Sequence, residues 1–184
     1  MPLPQEKYYT VEDFYNMPDD IRAELIDGQI VYMASPSTIH QDISGELYYV
    51  IKNYIKSKGG KCRVYAALFG VQLNDKKDTV LEPDISVICD TDKITSRGCV
   101  GAPDWIIEIA SPSNPSHDYI TKLSLYHDAH VREYWIVDTQ SNQVFVYNME
   151  SGQFITKAYS FTDTIKAGIY EDLYINFSSL DLGI

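Results

Sequence analysis

Acidic residues set inside apolar, strand-like stretches constrain this chain more than any other feature. Glu82-Pro83-Asp84 runs straight into Ile85-Ser86-Val87-Ile88, and Asp104-Trp105-Ile106-Ile107-Glu108-Ile109-Ala110 embeds a glutamate among large hydrophobic side chains. Both runs have the length and β-branched content of buried strands. A carboxylate buried in a sheet is costly unless something cationic meets it. The fold must therefore bring positive charge to these acids. One source is a divalent metal ion. Another is Lys122, which follows Asp118 by four residues and shares its face on a helix opened by Ser116.

Strand geometry sorts the acids. Asp104 and Glu108 point to the same side but lie roughly 13 Å apart along an extended chain, too far to share one ion. Asp84 and Glu108 occupy different strands and converge if those strands pair. Glu24, on the first hairpin, is a third acid for the same site. Two carboxylates at ~4 Å repel by about 4 kcal/mol at an effective dielectric near 20, so without a cation one of them holds a proton. Hard oxygen ligands and the lack of a Cys/His cluster point to Mg²⁺ or Mn²⁺ and not to zinc. Ala110 shares the face of Glu108 and leaves a gap that Lys122 can reach from the helix. The chemistry this suits is metal-assisted hydrolysis of a phosphodiester. Asp84 and Glu108 would hold the metal, and Lys122 would orient water or stabilise charge on phosphorus.

The remaining signals place these residues on elements. Thr10-x-x-Asp13 predicts a capping box before a short helix over residues 11–17, ended by Pro18-Asp19-Asp20. Asp27-Gly28, between strands at 23–26 and 29–33, predicts a type I′ hairpin. Ser35-Pro36-Ser37 opens the longest helix, with Ile39, Ile43, Leu47, Val50, Ile51, Tyr54 and Ile55 at helical spacing before Gly59-Gly60. Residues 62–73 and 80–89 each read as one strand around a polar turn at 74–78, with Pro83 marking an edge or bulge. Residues 90–101 read as a loop, 105–110 as a strand and 111–115 as a rigid turn. A helix from Ser116 to about Ala129 should turn Ile120, Leu123 and Tyr126 inward. A hairpin of residues 133–138 and 144–147 follows, then a strand over 154–161 after Ser151-Gly152. A weakly alternating tail, 164–180, caps the sheet. There is no repeat, linker or low-complexity tract, so the expectation is one α+β (α/β) domain over residues 1–184, a mixed, mostly antiparallel sheet flanked by helices.

Composition narrows the partners. The net charge of -11 repels nucleic acid at long range, while leaving room for a locally positive cleft. Cys62, Cys89 and Cys99 form no C-x-x-C, which suggests neither a disulfide framework nor a zinc site; a reducing cytoplasm fits best. The start, MPLPQEKYY, has no apolar signal core, and no apolar run approaches the roughly 18 residues of a membrane span. His40, on the long helix, is a candidate substrate contact. His117, His127 and His130 read as surface residues, Trp105 and Trp135 as core, and Lys56, Lys58, Lys61 and Lys76-Lys77 as solvated.

Taken in order, Glu24-Leu25-Ile26-Asp27-Gly28, Ser35-Pro36-Ser37 with His40-Gln41, Pro83-Asp84, Glu108-Ile109-Ala110-Ser111-Pro112-Ser113, Asp118 with Lys122 and Tyr126, and Glu133-Tyr134-Trp135-Ile136-Val137-Asp138 resemble the PD-(D/E)xK nuclease superfamily, and within it the Uma-type restriction endonucleases. The resemblance covers nearly the whole chain. It implies a restriction-endonuclease-like core, Asp84 and Glu108 as metal ligands, Glu24 as an accessory catalytic acid, and DNA as substrate. The lysine that the superfamily usually carries two residues after the second acid is Ala110 here, and Lys122 on the helix takes its place. This branch often has a glycine where the chain has His130. A homodimer would suit cutting of two strands. The same residues also admit a non-catalytic reading: a buried Glu108–Lys122 ion pair in a nuclease-fold module that binds or assembles without cutting. Hydrolysis of a small phosphorylated substrate is a third reading.

Overall fold

The computed structural model describes residues 7–18, 20–73, 78–110, 116–150 and 154–183. Asp19, Lys76-Lys77, all of the 74–78 turn but Asp78, and the turns at 111–115 and Ser151-Gly152 lie outside these residues.

Local chemistry sets the first elements. Thr10 and Asp13 form a reciprocal capping box at the start of α1 (Val11–Tyr15). Asp27 and Gly28, with φ of 46° and 77°, supply the two left-handed residues that join β1 (Ala23–Ile26) to β2 (Gln29–Tyr32). Ser37 caps α2 (Thr38–Ser57), which buries Ile43, Leu47, Ile51 and Ile55. Each such side chain contributes about 2 kcal/mol of apolar burial. The chain then forms β3 (Arg63–Ala66), β4 (Val71–Gln72), β5 (Val80–Leu81), β6 (Ile85–Ile88), β7 (Ile94–Thr95), β8 (Gly98–Val100) and β9 (Trp105–Ile109). A π-helical turn (His117–Lys122) leads into α3 (Leu123–Asp128). Strands β10 (Glu133–Asp138), β11 (Gln143–Asn148), β12 (Ile155–Ser160), β13 (Thr164–Lys166) and β14 (Tyr174–Asn176) complete the fold.

The architecture is α+β. One sheet has the order β2-β1-β5-β4-β8-β7 and another β12-β11-β10-β9-β6-β3, with β13-β14 as a separate pair. Pairing is antiparallel except at β4–β8 and β9–β10. The β9–β10 pair needs a crossover, and α3 with its π turn supplies it. Helix α2 covers one face of the second sheet, on Val87, Trp105 and Ile107, and the β13-β14 pair joins this core through Ile165 and Ile175. Helix α3 covers the other, where Leu125 and Tyr126 meet Ile106, Tyr134 and Ile136. Trp105 and Trp135 are fully buried and packed edge to face at 4.8 Å.

Several expectations are corrected. Residues 62–73 are not one strand but two, β3 in the second sheet and β4 in the first. Residues 80–89 split in the same way at Glu82-Pro83-Asp84, into β5 and β6. Proline has no N–H to donate to a ladder, and Asp84 uses its own carboxylate to accept the Ile109 N–H at 2.7 Å. The loop at 90–101 contains a single 3₁₀ turn (Thr91–Lys93) and the β7–β8 hairpin, strands too short to show a period. Cys62 and Cys89 are joined in a disulfide, because the register Arg63↔Ile88 sets them side by side at the end of the β3–β6 pair. Cys99 is free and buried. Among the described residues no helix is long and apolar enough to cross a membrane.

Candidate active site

The chain passes repeatedly between the two six-stranded sheets, and the acids lie at their junction. Glu24 comes from β1 in the first sheet, and Glu108 from β9 in the second. Strands β6 and β9 pair antiparallel with Ile85 opposite Ile107. Continuing that register by one residue sets Asp84 opposite Glu108, so their side chains leave the same face from Cα atoms about 5 Å apart. That face also carries Ile106 and Ala110 and looks toward α3.

Lys122 arrives from the crossover. Its Nζ lies 2.8 Å from Glu108 Oε1, 3.0 Å from Glu24 Oε1 and 3.7 Å from Asp118 Oδ1. Tyr126 donates its hydroxyl to the same Glu108 Oε1 at 2.9 Å. The π turn explains the convergence. Its wider winding turns Asp118 and Lys122 inward, both buried, and leaves Ile120 68% exposed. An α-helical period places Ile120 inward; the structure overturns that, while Tyr126 is buried as expected.

Glu24 is fully buried and densely bonded. Besides Lys122 it accepts from the Glu82 N–H at 2.9 Å and meets His117 Nε2 at 2.8 Å. Burial pushes its carboxyl up, but the Lys122 charge and the bonds from His117 and Glu82 prevail and bring it down to about 2. Glu108 goes the other way: burial, with Asp84, Asp118 and Glu24 nearby, raises it well above the usual carboxylate range despite Lys122. Burial also raises Asp118. For Lys122, burial alone works against the charged form, but Glu108, Glu24 and Asp118 outweigh it and hold the ammonium protonated well above the ordinary lysine range.

His40 Nε2 sits 3.1 Å from Asp84 Oδ2, which places this histidine at the site. His117, read from the sequence as a surface residue, is a correction: only 17% of its side chain is exposed, and it bonds Glu24. No periodicity singles it out; its adjacency to Asp118 was the only available signal.

A cavity of about 280 Å³ opens here, lined by Glu24, Asp84, Glu108, Lys122, His40 and His117 among others. Among the described residues no group of three or more His, Cys, Asp or Glu side chains is arranged around a metal position. The pair Asp84 and Glu108 is a different donor set. The bonds described above fall on Asp84 Oδ2 and Glu108 Oε1, and the other oxygen of each takes none of them. Two hard oxygens with water completing the shell fit magnesium or manganese, which keep several waters when bound.

The chain resembles known proteins along most of its length. It is 28% identical over 145 residues to a Synechocystis sp. protein named "Uncharacterized protein slr1290", covering 78% of this chain and 75% of that one. Its fold matches a crystal structure from Anabaena variabilis, titled as a putative nuclease belonging to DUF820, with a TM-score of 0.74, 23% identity, and coverage of 94% of this chain and 96% of that one. A family profile matches residues 11–176. The chain belongs to that family, Uma2, described as "Putative restriction endonuclease".

Proposed function

We propose that the protein is a metal-dependent nuclease that hydrolyses DNA phosphodiester bonds. The observation that carries the reading is the meeting of Lys122 with Glu108 at 2.8 Å, on the strand face that also presents Asp84 to the cavity. Three acids, Glu24, Glu108 and Asp118, meet one buried ammonium there, and a fourth, Asp84, lines the same cavity. That excess of negative charge suits a divalent cation. Asp84 and Glu108 would hold Mg²⁺ or Mn²⁺. When bound, the ion supplies Lewis acidity and lowers the pKa of a coordinated water.

The chain's own residues do the rest. Lys122, kept charged by its neighbours, would donate to a phosphoryl oxygen as charge builds on it. Glu24 fixes the ammonium by accepting from it, and His117 and the Glu82 N–H hold Glu24 in turn. Tyr126 steadies Glu108. His40, against Asp84, lines the cavity and would contact substrate. Two copies acting together would suit cleavage of both strands.

The test is incubation with DNA in Mg²⁺ or Mn²⁺, set against Asp84→Ala and against EDTA. Cleavage that needs both the metal and Asp84 supports the reading; equal cleavage by Asp84→Ala refutes it. A second reading, a nuclease-fold module that binds without cutting, is favoured by one observation: Lys122 is fully engaged by carboxylates, as a structural counter-charge would be. Calorimetry with Mn²⁺ separates the two. Binding lost on Glu108→Ala supports the enzyme, and no heat in either protein supports the module.

A further inference from the structure

A second cationic side chain, a guanidinium, lines the cavity besides Lys122. Arg22 lines the same space as Asp84 and Glu108. The Met33 N–H bonds the Arg22 carbonyl, so the β1–β2 ladder extends by one pair and Arg22 lies opposite Met33. Arg22 and Glu24 are two residues apart on this extended segment, and their side chains therefore leave one face about 7 Å apart. The positions of the two cations differ in one decisive respect. Lys122 is buried against three carboxylates. Arg22 is half-buried, and among the described residues it makes no ion pair; its one side-chain hydrogen bond runs from a terminal nitrogen to the Ala34 carbonyl at 3.3 Å. That bond holds one arm of the fork and leaves the other donors uncommitted.

An arginine fixed by a carbonyl, close enough to Glu82 to lower that acid's pKa yet in no ion pair with it, and opening into an otherwise acidic cavity, suits a planar oxyanion contact. Such a cation also resolves a conflict in the electrostatics. The whole chain carries a net charge of -11, and a polyanion needs a local positive group to approach the acids at all. We propose that Arg22 is a substrate-binding residue that clamps a backbone phosphate next to the one attacked. The assignment rests on the nucleic-acid reading above and adds the group that seats the strand. Lys122 acts at the reacting phosphate, and Arg22 acts through binding alone.

The experiment is fluorescence anisotropy of a short labelled oligonucleotide across a series of salt concentrations. Calcium is present to occupy the hard-oxygen site. Wild type, Arg22→Ala and Arg22→Lys are compared, with circular dichroism to establish that each is folded. Arg22→Ala should weaken binding about tenfold, the loss of one charge-assisted hydrogen bond, on every sequence tried. Its slope of log affinity against log salt should fall by about one. Arg22→Lys should keep most of the slope and lie between the two in affinity. In a magnesium cleavage assay Arg22→Ala should raise KM and leave kcat within about twofold.

Unchanged affinity and slope in Arg22→Ala, with wild type binding, overturns the clamp and leaves hydrolysis standing. Weakened binding in a protein that never cuts keeps the clamp and removes hydrolysis. A wild type that binds no oligonucleotide overturns both.

Discussion

Replacing Lys122 with methionine keeps the length of the side chain and deletes its charge. The consequences can be worked from the distances. At an effective dielectric near 20, pairs at 2.8 and 3.0 Å each carry about 6 kcal/mol of gross attraction, and a pair at 3.7 Å about 4. Desolvation of the ammonium and the carboxylates cancels most of this. What remains when one partner of a buried pair is removed is about 3–5 kcal/mol, because the acids stay behind without a counter-charge. In a chain of this size each kcal/mol moves the midpoint of thermal unfolding by about 2–4 °C. Lys122→Met should therefore unfold roughly 10 °C below wild type at neutral pH. It should also expose the cation site: with the ammonium gone, Mn²⁺ at a hundred times its Kd returns about 3 kcal/mol. Differential scanning calorimetry with and without Mn²⁺ reads both effects. A double-mutant cycle with Glu108→Gln assigns them to this pair. A Lys122→Met midpoint within about 3 °C of wild type would refute the claim that the acids depend on this lysine.

Three further outcomes follow from the geometry. Glu24 has a folded-state pKa near 2, below its unfolded value of 4.5, so its contribution is complete above pH 4.5 and is lost as pH falls toward 2. Urea midpoints across that window should fall with acid, and Glu24→Gln should remove about 3 kcal/mol of the dependence. His130 has φ of 64°, a left-handed conformation costly for a side chain with a Cβ; His130→Gly should raise stability by about 1 kcal/mol in chemical unfolding. Tyr126→Phe deletes a bond to a buried carboxylate and should cost about 2 kcal/mol with the midpoint measured at neutral pH.

Much of the site is legible because alternation along a strand is rigid. Once Glu108 sits in an apolar run and Asp84 borders another, antiparallel pairing leaves few ways to avoid bringing them face to face. The Asp27-Gly28 hairpin is legible for a similar local reason, since few residues tolerate two consecutive left-handed angles. The breaks inside 62–73 and 80–89 are not legible as breaks. Each half is apolar, and hydrophobic content does not say which sheet a half joins; Pro83 warns of an irregularity and no more. His117 escapes because its partner, Glu24, is far away in sequence. The disulfide escapes because it follows from the β3–β6 register, which no cysteine spacing encodes. Ile120 misleads because a 3.6-residue period is assumed where the backbone winds more widely.

That wider winding ties the site to an irregularity in the backbone. A turn of this kind holds one more residue than its α-helical counterpart, so a deletion such as that of Thr121 would let the segment relax into regular helix. Everything upstream of the deletion would swing by about 100° relative to Lys122, carrying Asp118 away from that lysine and His117 away from Glu24. A tidier helix would thus be a disarmed one, and because the buried lysine contacts it breaks also hold the fold, the irregular winding serves stability and site together.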